Sequence, residues 1–331
     1  MAARRMTRYQ KKRARRAGLC FAVVLAVSLA VLCGVLIYKA FLPGGTPDAN
    51  LHGKDDPGYI PVSSEVLDVS VSAPHVFVYD CNRGEIVYRK GHDRILYPAS
   101  TTKLLTILCA LEHLSPSDVI TPGEELSLVG EGSSIAYINK NHKLTVEMLI
   151  EGMLLPSGND AAYVLAAAAG NRMSDGEATG AEAVEVFMAG MAEYGRTLGL
   201  NGTHFTTPDG LAGTDHYSTL EDMLLISRAA ADNEIICRYA GLYQDDVTYA
   251  SGHKNTWTNT NVMLDPKSSF YRPSVTGLKT GSLDANYCLI TTAEQGGERY
   301  IIGIFGAATK TARFADTATI IDTLFAKEVA K

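Results

Sequence analysis

The chain has 331 residues, 46% apolar and 20% charged, the balance of a globular protein with one large or two modest folded bodies. Its net charge of −6 is unevenly spread: residues 1–16 hold eight basic side chains and no acid, leaving 22 basic against 36 acidic residues in the remainder. A remainder that acidic argues against nucleic-acid binding, and the eight histidines show no metal-ligand spacing such as H-E-x-x-H, so neither metal nor cofactor is expected.

Ala17 to Tyr38 is an uncharged, mostly apolar run of 22 residues. A helix of that length, at about 1.5 Å per residue, spans a bilayer core. The basic cluster before it holds the N-terminus in the cytoplasm and puts everything after Lys39 outside. A cleaved signal peptide has an apolar region of about 7–15 residues that ends in small residues. The longer run, and the poor cleavage site at Lys39-Ala40-Phe41-Leu42-Pro43, favour an uncleaved signal-anchor in the cell membrane. The expected division is a cytoplasmic basic segment 1–16, a membrane anchor 17–38, a Gly-, Pro- and Asp-rich linker 39–65, and one folded domain 66–331. Six cysteines do not make a disulfide framework at this length. Cys20 and Cys33 fall in the apolar run, and Cys81, Cys109, Cys237 and Cys288 are scattered, with Cys109 expected as a small buried apolar residue.

His75–Asp80 and Glu85–Lys90 flank Cys81-Asn82-Arg83-Gly84 and read as a β-hairpin. A helix is expected from Ser100, with Leu104, Ile107, Leu108 and Leu111 as its apolar stripe, stopping at Ser115-Pro116. Residues 117–143 are loop-rich. Thr145 caps a second helix with Val146, Leu149, Ile150 and Met153 buried, ended by Pro156. Asp160 opens a short alanine-rich helix that Gly170 closes. Val184, Phe187, Met188 and Met191 mark the next helix, and Ser218-Thr-Leu-Glu221 forms a capping box for another. Residues 240–275 read as irregular and polar. Val275–Lys279, Asn286–Thr292 and Arg299–Phe305 read as an antiparallel meander, and Thr311–Lys327 as a last helix with Ala315, Ala318, Ile321 and Leu324 inward. The expected class is α/β of the α+β kind: one antiparallel sheet from the terminal pieces, helices against it, and a helical lobe from the middle.

Three short motifs carry chemistry. Ser100 and Lys103 lie three apart, on one face of a first helical turn. A serine hydroxyl is a weak nucleophile until a base takes its proton, and a desolvated lysine amine can be that base. The helix N-terminus adds free N–H groups where an oxyanion would form. A helix start with a serine cap and a surface lysine fits the same residues. Ser157-Gly158-Asn159 sits at a helix break, where Ser157 could relay a proton and Asn159 could hold Lys103 or a substrate carbonyl; a plain turn with an Asn cap fits as well. Lys279-Thr280-Gly281 opens a strand whose edge could pair with an extended peptide, while Lys279 and Thr280 hold a carboxylate. A strand-end lysine beside a turn glycine is the plain alternative.

Together, Ser-x-x-Lys, Ser-x-Asn and Lys-Thr-Gly form the trio of β-lactamases and penicillin-binding proteins. Tyr97–Lys103, Leu144–Leu149, Leu154–Ala162 and Gly277–Gly281 resemble the D-alanyl-D-alanine carboxypeptidases, the low-molecular-mass penicillin-binding proteins. So do Thr207-Pro-Asp-Gly-Leu211, His216-Tyr-Ser-Thr219 and Thr311-Ala-Arg-Phe-Ala-Asp316, and the resemblance covers about residues 66–328. It implies a transpeptidase-like fold without metal, acting on peptidoglycan stem peptides and inhibited by β-lactam antibiotics. Ser100 would be the nucleophile, Lys103 its base, and Ser157 the proton relay to the departing D-alanine. Asn159 would position substrate, Lys279 and Thr280 would bind the terminal carboxylate, and the backbone N–H groups of Ser100 and Ser282 would form the oxyanion hole. The stretch Ser282-Leu283-Asp284-Ala285-Asn286 departs from the family pattern and leaves the pocket wall near Leu283 open. A β-lactamase is the first alternative, although no E-x-x-L-N loop lies between Asn159 and Lys279. A non-catalytic muropeptide- or β-lactam-binding protein is the second.

Overall fold

The computed structural model describes residues 58–329. The expected basic segment, the anchor 17–38 and the linker as far as residue 57 lie outside them. Among the described residues no helix is long and apolar enough to cross a membrane.

The chain opens with β1 (His75–Asp80) and β2 (Glu85–Lys90), the expected hairpin. A 3-10 turn, Ala99–Thr102, leads into α1 (Lys103–Leu111). β3 (Val119–Ile120) pairs with β4 (Leu144–Thr145), which runs straight into α2 (Val146–Leu154). Then come α3 (Asn159–Met173), α4 (Gly180–Thr197), α5 (Leu220–Ala231) and α6 (Glu234–Ala240). A hairpin of β5 (Gln244–Thr248) and β6 (Lys254–Thr258) precedes the meander β7 (Val275–Leu283), β8 (Asn286–Gln295) and β9 (Glu298–Ala307). The described chain closes with α7 (Lys310–Val329).

The main sheet is antiparallel in the order β2-β1-β9-β8-β7, so the two ends of the fold meet where β1 pairs with β9. Its strands are buried on both faces, and the period of two sorts their side chains between two cores. Val76, Val78, Leu289, Ile302 and Ile304 pack with Phe314, Ile321 and Phe325 of α7. Phe77, Tyr79, Ile290, Ile301 and Phe305 point the other way, into the core shared with α1 to α6. Ile60 to Ser63, assigned to the linker by composition, lies along β2 instead: Ser63 N–H donates to Ile86 O and Ile86 N–H to Pro61 O, with Ile60 buried.

Several boundaries differ from the sequence reading, each for a visible reason. Ser100 lies in the 3-10 turn and Lys103 is the first residue of α1, which ends at Leu111 rather than Ser115. α3 runs on through Gly170 to Met173; the glycine serves close packing, since a Cβ there would lie 1.8 Å from the Ala183 carbonyl oxygen of α4. The cap of α5 is Thr219, whose hydroxyl accepts from Asp222 N–H, one residue later than expected. Residues 240–275 are not all irregular: β5 and β6 alternate polar residues outward with buried Val247 and Trp257 inward. On α7 Ala315 is exposed, and Phe314 takes its place in the buried stripe with Ala318, Ile321 and Leu324.

The loop 133–138 is fixed from two sides. Buried Asp160 accepts from Ala136 N–H at 2.8 Å and Ile138 N–H at 2.9 Å, one oxygen each. The Ala136 carbonyl in turn accepts from Trp257 Nε1 and Asn255 Nδ2, which ties the β5–β6 hairpin to the loop. Asp160→Asn puts an N–H₂ against one of these backbone donors. It should lower unfolding free energy by about 1–3 kcal/mol, read from urea denaturation; a variant as stable as the parent would refute the clamp.

Candidate active site

The three motifs converge. Ser100, Lys103 and Asn159 form one hydrogen-bonded group and Ser157 and Lys279 a second beside it, where the start of α1, the α2–α3 break and β7 meet. Lys103 Nζ lies 3.0 Å from Ser100 Oγ, 2.7 Å from Asn159 Oδ1 and 2.9 Å from the Asp209 carbonyl oxygen. A neutral amine has two N–H donors and one lone pair. The amide and carbonyl oxygens can accept only N–H, so the lone pair is left for the serine hydroxyl. Burial pushes the Lys103 pKa down from 10.5 to about 8, against the opposing pull of Asp209 and Asp160.

The backbone around both serines is bent to present them. Ala99, just before Ser100, has φ 48°, and Ser157 has φ 63°. Such conformations cost a non-glycine residue about 1–3 kcal/mol and persist only where surrounding contacts impose them. The positive φ falls on Ser157 itself rather than on Gly158. Gly158 is needed for space instead, as its Cβ would meet Ala136 Cβ at 2.8 Å.

Ser157 Oγ accepts from Lys279 Nζ at 2.8 Å, and the same amine donates to the Thr280 carbonyl at 2.9 Å. Lys279 is fully buried. Its pKa falls well below the ordinary value through burial first, then through the nearby charges of Lys103 and Arg313. Asn159 turns its oxygen to Lys103 and its amide nitrogen to Ser133 Oγ at 2.9 Å.

Lys279-Thr280-Gly281 lies in the middle of β7, not at its start, and β7 is one of the two edge strands of the sheet, as peptide pairing requires. Gly281 allows that strand to reach the nucleophile turn: a Cβ there would lie 2.7 Å from the Pro98 carbonyl oxygen and 3.2 Å from Ala99 Cβ. Ser282 follows at the exposed end of β7. The departing stretch closes a tight turn at Asp284-Ala285, and Asn286 Nδ2 donates to the Tyr97 carbonyl at 2.8 Å. It therefore braces the segment leading into Ser100, with Leu283 half-buried beside it.

Several participants carry no role in the sequence reading. Arg313 of α7 is buried; its Nη1 donates to the Gly281 carbonyl, Ser282 Oγ and the Cys288 carbonyl, which holds the end of β7. Burial lowers its pKa to about 10. An arginine inside an apolar helical stripe was the available signal. His216 sits behind the nucleophile turn, and burial pushes it down to about 4, so it is neutral. Thr206 N–H donates to its Nδ1, which leaves the proton on Nε2 to donate to Thr102 Oγ1 at 2.8 Å. Thr207–Leu211 supplies the Asp209 carbonyl to Lys103 and the Pro208 carbonyl to Thr106. Among the described residues no group of three or more His, Cys, Asp or Glu side chains could hold a metal ion, and the four cysteines are free.

Comparison with known proteins identifies the family and the fold. Residues 62–309 match the family model for D-alanyl-D-alanine carboxypeptidase. The chain is 30% identical over 266 residues to D-alanyl-D-alanine carboxypeptidase DacF of Bacillus subtilis, covering 78% of this chain and 64% of DacF. It is 30% identical over 274 residues to the D-alanyl-D-alanine carboxypeptidase of Streptomyces strain K15, covering 80% of this chain and 91% of that one. The crystal structure of the Streptomyces K15 DD-transpeptidase superposes with a TM-score of 0.71, over 79% of this chain and all of that chain. Penicillin-binding protein D2 of Listeria monocytogenes, in its ampicillin-bound form, matches at 29% identity with a TM-score of 0.63, over 78% of this chain and 99% of that one. The chain belongs to the D-alanyl-D-alanine carboxypeptidase family of serine peptidases.

Proposed function

We propose that this protein removes the terminal D-alanine from peptidoglycan stem peptides through an acyl-enzyme on Ser100. One observation carries the reading: Lys103 Nζ, buried and held by two oxygen acceptors, lies 3.0 Å from Ser100 Oγ. As Ser100 Oγ bonds to the carbonyl carbon between the two D-alanines, its proton passes to Lys103. The oxyanion is held by the N–H groups of Ser100 and Ser282. Ser157, whose oxygen already accepts from Lys279, gives its proton to the departing amine and takes in its place the one that Lys103 removed from Ser100, which leaves Lys103 neutral again. Lys279 and Thr280 hold the terminal carboxylate, and Asn159 keeps Lys103 in place. Water then releases the shortened peptide from Ser100. A β-lactam presents a similar amide and carboxylate and would acylate the same oxygen.

Ser100→Ala and Lys103→Met should each cut D-alanine release from a stem pentapeptide by at least about 10³-fold, and benzylpenicillin should add its mass to Ser100 in the parent protein. Folded parent protein that gains no such mass, and binds muropeptide without releasing D-alanine, would be a binding protein instead. An acyl-enzyme lifetime of milliseconds would make it a β-lactamase.

The pH dependence follows from Lys103. Only the neutral amine can accept the serine proton, so acylation should rise with pH through about 8 and level off above it. Because the unfolded chain holds that proton more tightly, Lys103 also makes stability increase with pH between about 8 and 10.5. Stopped-flow acylation with a chromogenic cephalosporin reads the first effect; a profile flat from pH 6 to 10 would rule out Lys103 as base.

The basic residues 1–16 and the apolar run 17–38 support anchoring in the cell membrane, with the N-terminus cytoplasmic and the site outside. Full-length protein should stay with membranes after alkaline carbonate extraction and be open to protease only from the outer side. Release into the soluble fraction would argue for a cleaved leader.

A further inference from the structure

The stretch Asn259-Thr260-Asn261 lies beside the Lys-Thr-Gly strand and takes no part in the chemistry above. It is held from several directions. Asn259 N–H donates to the Tyr243 carbonyl, and its Nδ2 donates to the carbonyls of Ala240 and Leu242. Asn259 Oδ1 accepts from Asn261 N–H, and Asn261 Oδ1 accepts from Met263 N–H. Between these two buried amides, Thr260 N–H donates to the Leu155 carbonyl at 3.0 Å, at the end of α2 and two residues before Ser157. The Thr260 side chain is half-buried, and its Oγ1 lies 2.5 Å from Thr280 Oγ1.

A hydroxyl has one proton to give. For Thr280 to hold a terminal carboxylate, its proton must go to that carboxylate, because an ionised carboxylate only accepts. The proton shared by the two threonine oxygens must then come from Thr260. A hydroxyl that receives a hydrogen bond is a stronger donor, so the order Thr260 to Thr280 to carboxylate is self-reinforcing. With its backbone fixed at the end of α2, Thr260 has its oxygen in place before substrate arrives.

We infer that Thr260 is a positioning residue that sets the Thr280 hydroxyl as a donor toward the substrate's terminal carboxylate, and so helps select peptides with a free C-terminus. The inference rests on the carboxypeptidase reading of the same site. It adds a residue that acts only through Thr280, at the junction of the β5–β6 hairpin, α2 and β7.

The test compares a D-alanyl-D-alanine peptide bearing a free carboxylate with the same peptide ending in a carboxamide, on full-length protein. The parent should favour the acid. Thr260→Val removes the donor and keeps the shape. It should lower kcat/KM for the acid about tenfold, mainly through KM, leave the amide nearly unchanged, and so shrink the preference about tenfold. Thr260→Ser restores the donor and should stay within twofold of the parent. Thr260→Ala provides the same readout should the valine variant fold poorly. An unchanged acid-over-amide preference in both donor-less variants overturns the inference, whether the two rates fall together or stay level. Folded parent protein that releases D-alanine from neither peptide overturns the carboxypeptidase reading, and the inference with it.

Discussion

The structure depends on two amines kept out of water in one cleft. Lys103 and Lys279 are both fully buried, and each finds only neutral oxygen acceptors: Ser100, Asn159 and the Asp209 carbonyl for one, Ser157 and the Thr280 carbonyl for the other. Burial disfavours the charged form of each, and their proximity adds to the effect at Lys279. An amine in that state is worth little to stability and much to proton transfer. The carboxylates nearby are kept back from direct pairing: Asp160 is spent on backbone N–H groups, and Asp209 reaches Lys103 through its main-chain carbonyl. A close ion pair would hold the proton on the amine and end its use as a base.

The rest of the fold brings these groups together. β1 enters the sheet beside β9, so the N-terminal hairpin and the C-terminal meander share one hydrogen-bonded surface. That arrangement sets the turn with Ser100 against β7, where Gly281 permits backbone contact with Pro98 and Ala99. The helical lobe contributes the break after α2. Strained backbone at Ala99 and Ser157 presents the two hydroxyls, and the strain is held by dense contacts: Gly210 against the Ala99 carbonyl, Ala136 against Gly158, Asp160 across the loop 133–138. Arg313 reaches from α7 to the end of β7, so the helix on the far face of the sheet also shapes the site.

Periodic segments were legible because burial there is set by local repeat. The hairpin of β1 and β2, the cap of α2 at Thr145 and the apolar stripe of α4 follow from spacing of two or of three and four. Where packing rather than periodicity decides, the reading slipped. Gly170 reads as a stop but lies inside α3, because its bare Cα lets the Ala183 carbonyl approach. β5 and β6 read as polar loop because in each strand a single residue, Val247 or Trp257, is buried among polar neighbours.

The sequence by itself determined which chemical groups this chain possesses, the order in which they come, and that Ser100 falls near a helix start, Ser157 at a helix break and Lys279 in a strand. These follow from residue type and short-range spacing, which a one-dimensional string contains. Only the tertiary structure decided that Lys103 faces Ser100 with its other donors occupied, that Lys279 reaches Ser157 across the cleft, and that Arg313, His216 and Thr260 stand behind them. Those contacts join residues up to 122 positions apart, and no local pattern encodes a distance that the packing of sheet against helices alone fixes.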